Sequence, residues 1–203
     1  MKKYAVLHEP GDIVALAGTR FVVLDAERRG SLPDSLFLLA LESVGESEFG
    51  SSNNYAESDL KKAVDKWLED MGKKGLDNAK LIPREIDLTT LDGSGRYGKL
   101  SVKAAPLTLD EARKYDDIIP NAERWCWLAT GWSGPSKSDG GLALYVLTNG
   151  DWYNGGCSRS GGVRPALKVP SILFEDSETG LDLSKIPTDD LLQEIHRRLA
   201  EKA

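Results

Sequence analysis

The chain has 203 residues, 40% of them apolar and 29% charged, with a formal charge of -6 and a pI near 5.1. That length allows one large domain or two small ones with a real core, and the composition is that of a soluble globular protein. The acidic balance, with no basic cluster interleaved with aromatics, argues against nucleic acid and anionic membrane as partners.

The N-terminus, MKKYAVLHEPGDIVALAG, has its apolar run broken by His8, Glu9, Pro10 and Asp12. It does not read as a secretory signal, and no run reaches the length of a membrane span. The expectation is synthesis in a cytoplasm, a feature shared by proteins built into a phage particle. Tyr4 to Leu7, Ile13 to Ala17 and Phe21 to Leu24 are short apolar runs separated by turn residues, and they predict a strand meander. Leu36 to Leu41 is continuously apolar after Pro33-Asp34, which predicts a strand covered on both faces.

After the polar loop Gly45 to Tyr55, Glu57 or Ser58 can start a helix. Leu60, Val64, Trp67, Leu68 and Met71 recur at spacings of three and four, with Trp67 the expected main anchor and Gly72 and Gly75 the stop. Leu81 to Thr90 is open between strand and loop, and Asp92 to Gly98 reads as a turn-rich excursion. Thr108, followed by Asp110 and Glu111, predicts a short capped helix through Tyr115.

The stretch from Trp125 to Val169 holds four of the five tryptophans and both cysteines. Three β-rich runs, Trp125 to Ala129, Leu142 to Thr148 and Val163 to Val169, alternate with loops rich in Gly and Ser. Asn149-Gly150 predicts a two-residue type I′ hairpin, because both positions of that turn need φ > 0. The implied register sets Leu147 opposite Trp152 and Val146 opposite Tyr153. Of Trp125 and Trp127, at least one is expected in the core. Cys126 reads as a buried apolar residue, and Cys157, in a glycine-rich loop, is expected to be exposed; the two are expected to be unpaired.

Glu175 to Gly180 begins an acidic linker, and Thr188 to Ala203 predicts a charged helix with a narrow stripe of Leu191, Leu192, Ile195 and Leu199. Such a stripe suits docking on its own domain or pairing with another subunit. The organisation expected is a domain over 1–174, a linker over 175–187 and a terminal helix over 188–203.

The inventory for catalysis is thin. His8 and His196 stand apart in sequence, and there is no zinc motif, no Walker A loop and no GxGxxG. GWSG at 131–134 does not match GxSxG. Asp139, Asn149, Asp151 and Asn154 have the hard oxygens that calcium needs, but the turn accounts for Asn149 and Asp151. The reading assigns no catalytic residue, no metal and no cofactor. Cys157 is the one credible nucleophile were this an enzyme. Loops 131–141 and 155–162 instead carry Trp, Tyr, Ser, Gly, Asn and Arg, the residue types from which recognition surfaces are built.

The order GDIVALAGTRFVVLD (11–25), a Trp-bearing helix, WCWLATGW (125–132), LYVLTNGDWYNGG (144–156) and GVRPALKV (162–169) resembles a family of phage, prophage and gut-bacterial proteins. That family has a GDIV opening and a GVRPAL closing motif; WCWLATGW stands here where its usual pattern is WWLRSPG. Such proteins look like relatives of the C-type-lectin fold used by variable proteins of diversity-generating retroelements and by formylglycine-generating enzymes. The resemblance implies an α+β, C-type-lectin-like fold of mixed and antiparallel sheets with two or three helices. It also implies a ligand-binding face at Trp132, Asp151, Trp152, Tyr153, Asn154, Ser158, Arg159 and Ser160, with Arg164 and Pro165 structural. The function expected is non-enzymatic recognition of a protein or glycan on a surface. The alternatives are a structural component assembling through helix 188–203 and an enzyme on the same scaffold.

Overall fold

The chain reverses at Ala17-Gly18, a two-residue turn with both residues at positive φ, 47° and 79°. This is the type I′ geometry, whose twist matches that of paired strands. It joins β1 (Ile13–Leu16) to β2 (Thr19–Arg29), with Leu16 opposite Thr19. The computed structural model describes residues 8–29, 32–135 and 140–174. The expected strand at Tyr4 to Leu7, the linker and the helix 188–203 lie outside the described residues.

From β2 the chain continues into β3 (Leu32–Ala40) and β4 (Glu46–Glu48), then a single 3-10 turn at Tyr55–Glu57 and helix α1 (Asp59–Lys73). Next come β5 (Arg84–Asp87), β6 (Lys99–Val102), β7 (Ala104–Ala105) and helix α2 (Leu109–Lys114). The described chain closes with β8 (Cys126–Gly131), β9 (Leu142–Val146), β10 (Trp152–Gly156), β11 (Ser160–Gly162) and β12 (Ala166–Pro170).

These strands form an antiparallel five-stranded sheet of order β1-β2-β3-β12-β7 and a mixed one of order β10-β9-β8-β11-β4, with β5 and β6 as a separate pair. The architecture is therefore α+β, dominated by sheet. The last strand, β12, inserts beside β3 with Leu167 opposite Leu38, so the two ends of the described chain meet in one sheet.

The first sheet is covered on both sides. Phe21, Val23, Leu36 and Leu38 face one cluster with Phe49, Leu60 and Trp127, while Val22, Leu24 and Leu39 face another with Leu107, Leu128 and Leu144. Alternation along a strand produces this division, and it explains why the run at Leu36 to Leu41 is apolar throughout. No helix among the described residues is long and apolar enough to cross a membrane.

Helix α1 packs the predicted stripe, with Leu60, Val64 and Met71 buried. Trp67 is only half-buried and lies against Phe21 at 6.3 Å, so the aliphatic residues, not the tryptophan, anchor this helix. Ser58 is its N-cap: Oγ accepts from Lys61 N at 2.9 Å and donates to Tyr55 O at 2.8 Å. Ser58→Ala removes both bonds at a buried position, and a loss of about 1–2 kcal/mol in urea denaturation is the expected result. Helix α2 has the full capping box, with Glu111 Oε2 accepting from Thr108 N at 2.9 Å and Thr108 Oγ1 accepting from Glu111 N at 3.2 Å.

Candidate functional site

The β9–β10 hairpin closes one residue away from its expected register. Its loop has three residues, Thr148-Asn149-Gly150: Gly150 N donates to Leu147 O at 3.0 Å and Leu147 N to Asp151 O at 2.8 Å. Of these residues only Gly150 has a positive φ, 91°. The reason lies in Asn149, whose Oδ1 accepts from Asp151 N at 3.2 Å while its Nδ2 donates to Asp151 Oδ2 at 2.7 Å. Such a local bond holds Asn149 in an Asx turn and leaves the left-handed position to Gly150 alone. Trp152 therefore stands opposite Val146, and Tyr153 opposite Tyr145. A slip of one residue exchanges the two faces of a strand, so Tyr153 shares the face of Tyr145 and Trp152 that of Val146.

On the first face an aromatic row runs outward from the core. Trp127 lies 5.5 Å from Phe49 and 5.8 Å from Tyr145, and Tyr145 lies 4.7 Å from the half-buried Trp125 and 6.2 Å from Tyr153. Tyr153, on the sheet's edge strand, is 62% exposed. The Arg159 guanidinium sits over Trp125 at 5.2 Å and Tyr145 at 5.8 Å, within the range of cation–π attraction. Gly155 lies on this face because a Cβ there would come within 3.0 Å of Tyr145 Cε1 and 3.1 Å of Arg159 Nη1. Ser160 Oγ donates to Glu46 Oε2 at 3.3 Å, and Glu46 is ion-paired with Arg124. The hydrogen bond from Arg124 holds the Glu46 carboxyl below its usual range. Ser158 is exposed in the tight turn between β10 and β11.

On the opposite face Trp152, 36% exposed, has the Arg113 guanidinium over its ring at 5.4 Å. Behind it a cleft of about 280 Å³ is bordered by Asp151, Trp152, Asp116, Asn121 and Arg164. The segment carrying Arg113, Asp116 and Asn121 is held to β8 by Leu109 N donating to Thr130 Oγ1 at 2.9 Å and Ala129 N to Leu107 O at 2.9 Å. Asn154 is half-buried opposite Leu144. Arg164 is buried and clamps the cleft's base, Nε donating to Ala40 O at 2.8 Å and Nη2 to Leu41 O at 3.0 Å and Pro120 O at 2.9 Å.

The predicted face is thus divided. Tyr153, Ser158, Arg159 and Ser160 lie exposed around the aromatic row, while Asp151 and Trp152 border the cleft. Trp132 joins neither group, because it packs half-buried against the cluster of Leu128 and Leu144. The two loops are also less open than expected. Ser133 and Gly134 are buried, with Ser133 O accepting from the Asn53 side chain at 2.9 Å, and residues 155–162 are mostly strand. Residues 136–139 lie outside the described residues.

Cys157 is buried, not exposed. Its backbone is locked between Gly141 O and Phe49 N at 2.8 Å each, which turns the side chain into the core. Burial pushes this thiol up to about 12 and that of Cys126 up to about 11, and both are free. An activated nucleophile needs the opposite, an exposed sulfur with a lowered pKa. Cys157 carried no local signal of burial, since its orientation comes from the long-range bonds to Gly141 and Phe49. Arg113, Asp116 and Asn121 carried no local signal, since only the fold brings them beside Trp152.

Among the described residues no group of three or more His, Cys, Asp or Glu side chains is placed to hold a metal ion. Comparison with known protein families, with curated proteins and with solved structures finds no match to this chain.

Proposed function

We propose that this chain is a non-enzymatic recognition protein of C-type-lectin-like fold and phage or prophage origin. It binds a protein or glycan on an outer surface, in the manner of the retroelement-diversified variable proteins. The binding surface is the face of Tyr153, Ser158, Arg159 and Ser160. The observation that carries this reading is the aromatic row that passes from core to solvent and ends on Tyr153, 62% exposed, with Arg159 over the neighbouring Tyr145 ring. Its cross-strand contact with Tyr145 at 6.2 Å uses part of the ring and leaves the rest to solvent. An aromatic and an arginine backed by a rigid sheet are the residues that most often dominate a binding energy. The pairing of β12 with β3, with α1 packed across the core, supports the fold assignment.

The test is a Tyr153→Ala/Arg159→Ala chain compared with wild type on a glycan array and a panel of intact bacterial cells. Both side chains are exposed, so the melting temperature should stay within about 2 °C. Retention of the wild type on at least one surface should fall roughly tenfold or more in the variant, as loss of a binding hot spot requires. Equal retention of the two chains sinks the reading.

A further inference from the structure

At the base of the cleft behind the hairpin, the Arg164 guanidinium is held by backbone carbonyls and by no carboxylate of the described residues. Among the described residues every hydrogen bond of Arg164 goes to a backbone carbonyl, those of Ala40, Leu41 and Pro120, and Nη1 takes part in none of them. Among the described residues no carboxylate lies within ion-pair reach of Arg164. Glu42 acts on it only through a longer-range field, and burial lowers its affinity for the proton more than any neighbour raises it. Arginine nonetheless stays charged in proteins, so a guanidinium held by carbonyls keeps Nη1 outside that clamp, and Nη1 is not among the fully buried atoms that lack a partner. An anionic group entering the cleft would give that guanidinium a charge-assisted hydrogen bond that the carbonyls do not supply. The other guanidinium at the cleft, Arg124, is already matched by Glu46.

The rest of the cleft limits what that anion is. Leu107, Leu128, Val146 and Trp152 supply an apolar wall, and Asp116, Asp151 and the amides of Asn121 and Asn149 stand around it. Two aspartates repel a multiply charged phosphate, but they accept hydrogen bonds from hydroxyl or ammonium groups. The volume, about 280 Å³, suits a metabolite-sized molecule.

We propose that this cleft binds a small monocarboxylate whose acid group meets Arg164 and whose hydroxyl or ammonium donors face Asp116 and Asp151. This site is separate from the recognition surface, and neither depends on the other. An acidic sugar and an amino acid share the chemistry, and the assay distinguishes them.

The wild-type protein is titrated with D-glucuronate, its neutral amide D-glucuronamide, and L-leucine, with saturation-transfer NMR and calorimetry as readouts. Binding of glucuronate in the millimolar range or tighter identifies an acidic-sugar site, and binding of leucine an amino-acid site. If glucuronate binds, the amide should be roughly tenfold or more weaker, because it forfeits a charge-assisted hydrogen bond. Val146→Trp, at a lining residue that takes part in none of Arg164's hydrogen bonds, narrows the cleft and should abolish binding, while Tyr153→Ala should leave it unchanged. The proposal is overturned if neither carboxylate binds at millimolar concentration, if the amide binds as well as glucuronate, or if folded Val146→Trp binds like wild type.

Discussion

Replacing Trp127 by alanine should lower the free energy of unfolding by about 3–5 kcal/mol, the range for emptying a large aromatic site in a packed core. The side chain is 1% exposed and lies in edge or tilted contact with Phe49, Trp125 and Tyr145. Its Nε1 donates to Ser47 O at 3.1 Å, so the substitution also leaves a backbone acceptor of β4 without its donor. The site has little room to collapse, because Phe49 and Tyr145 are each fixed by other partners. For a domain whose total stability is of the order of 5–15 kcal/mol, this loss is decisive. Urea denaturation at constant m-value measures it, and a loss below about 1 kcal/mol would mean that the second sheet does not rest on this residue.

Local periodicity made most of the scaffold readable. The stripe of Leu60, Val64 and Met71, the caps at Ser58 and Thr108 and the two-sided run at Leu36 are short-range patterns, and short-range forces produce them. Turn chemistry was less transparent. The type I′ turn sits at Ala17-Gly18, where alanine accepts φ of 47°, and not at Asn149-Gly150, whose amide side chain favours a tighter local bond. Because strand side chains alternate with a period of two, that single difference exchanged the faces of Tyr153 and Trp152 relative to the expected register. The clefts and clamps were the least legible part. Arg113 meets Trp152 and Arg164 meets Pro120 only through tertiary structure. The glycines of 155–162 suggested open loops, yet all four lie in strands, and at Gly155 and Gly161 a neighbouring ring leaves no space for a Cβ.

Gly161→Ala tests that last point and joins the scaffold to the binding face. A Cβ at Gly161 would stand 2.2 Å from Trp125 Cζ3, 2.4 Å from Cη2 and 2.8 Å from Trp127 Nε1. Trp127 cannot retreat, since it is buried and hydrogen-bonded to Ser47. Trp125 is only half-buried, so relief comes from its ring swinging outward. That movement breaks its 4.7 Å contact with Tyr145 and removes the ring beneath Arg159. Overpacking of this kind destabilises by about 1–3 kcal/mol, and exposure of Trp125 should shift the fluorescence to the red. Gly155→Ala makes the informative comparison. Its Cβ meets Arg159 Nη1 at 3.1 Å, the far end of a flexible side chain, although Tyr145 Cε1 at 3.0 Å is less free to move. That variant should lose less stability and keep the emission maximum of wild type. Should Gly161→Ala melt like wild type with unchanged fluorescence, the two indoles do not close over β11 and the aromatic row does not support Arg159.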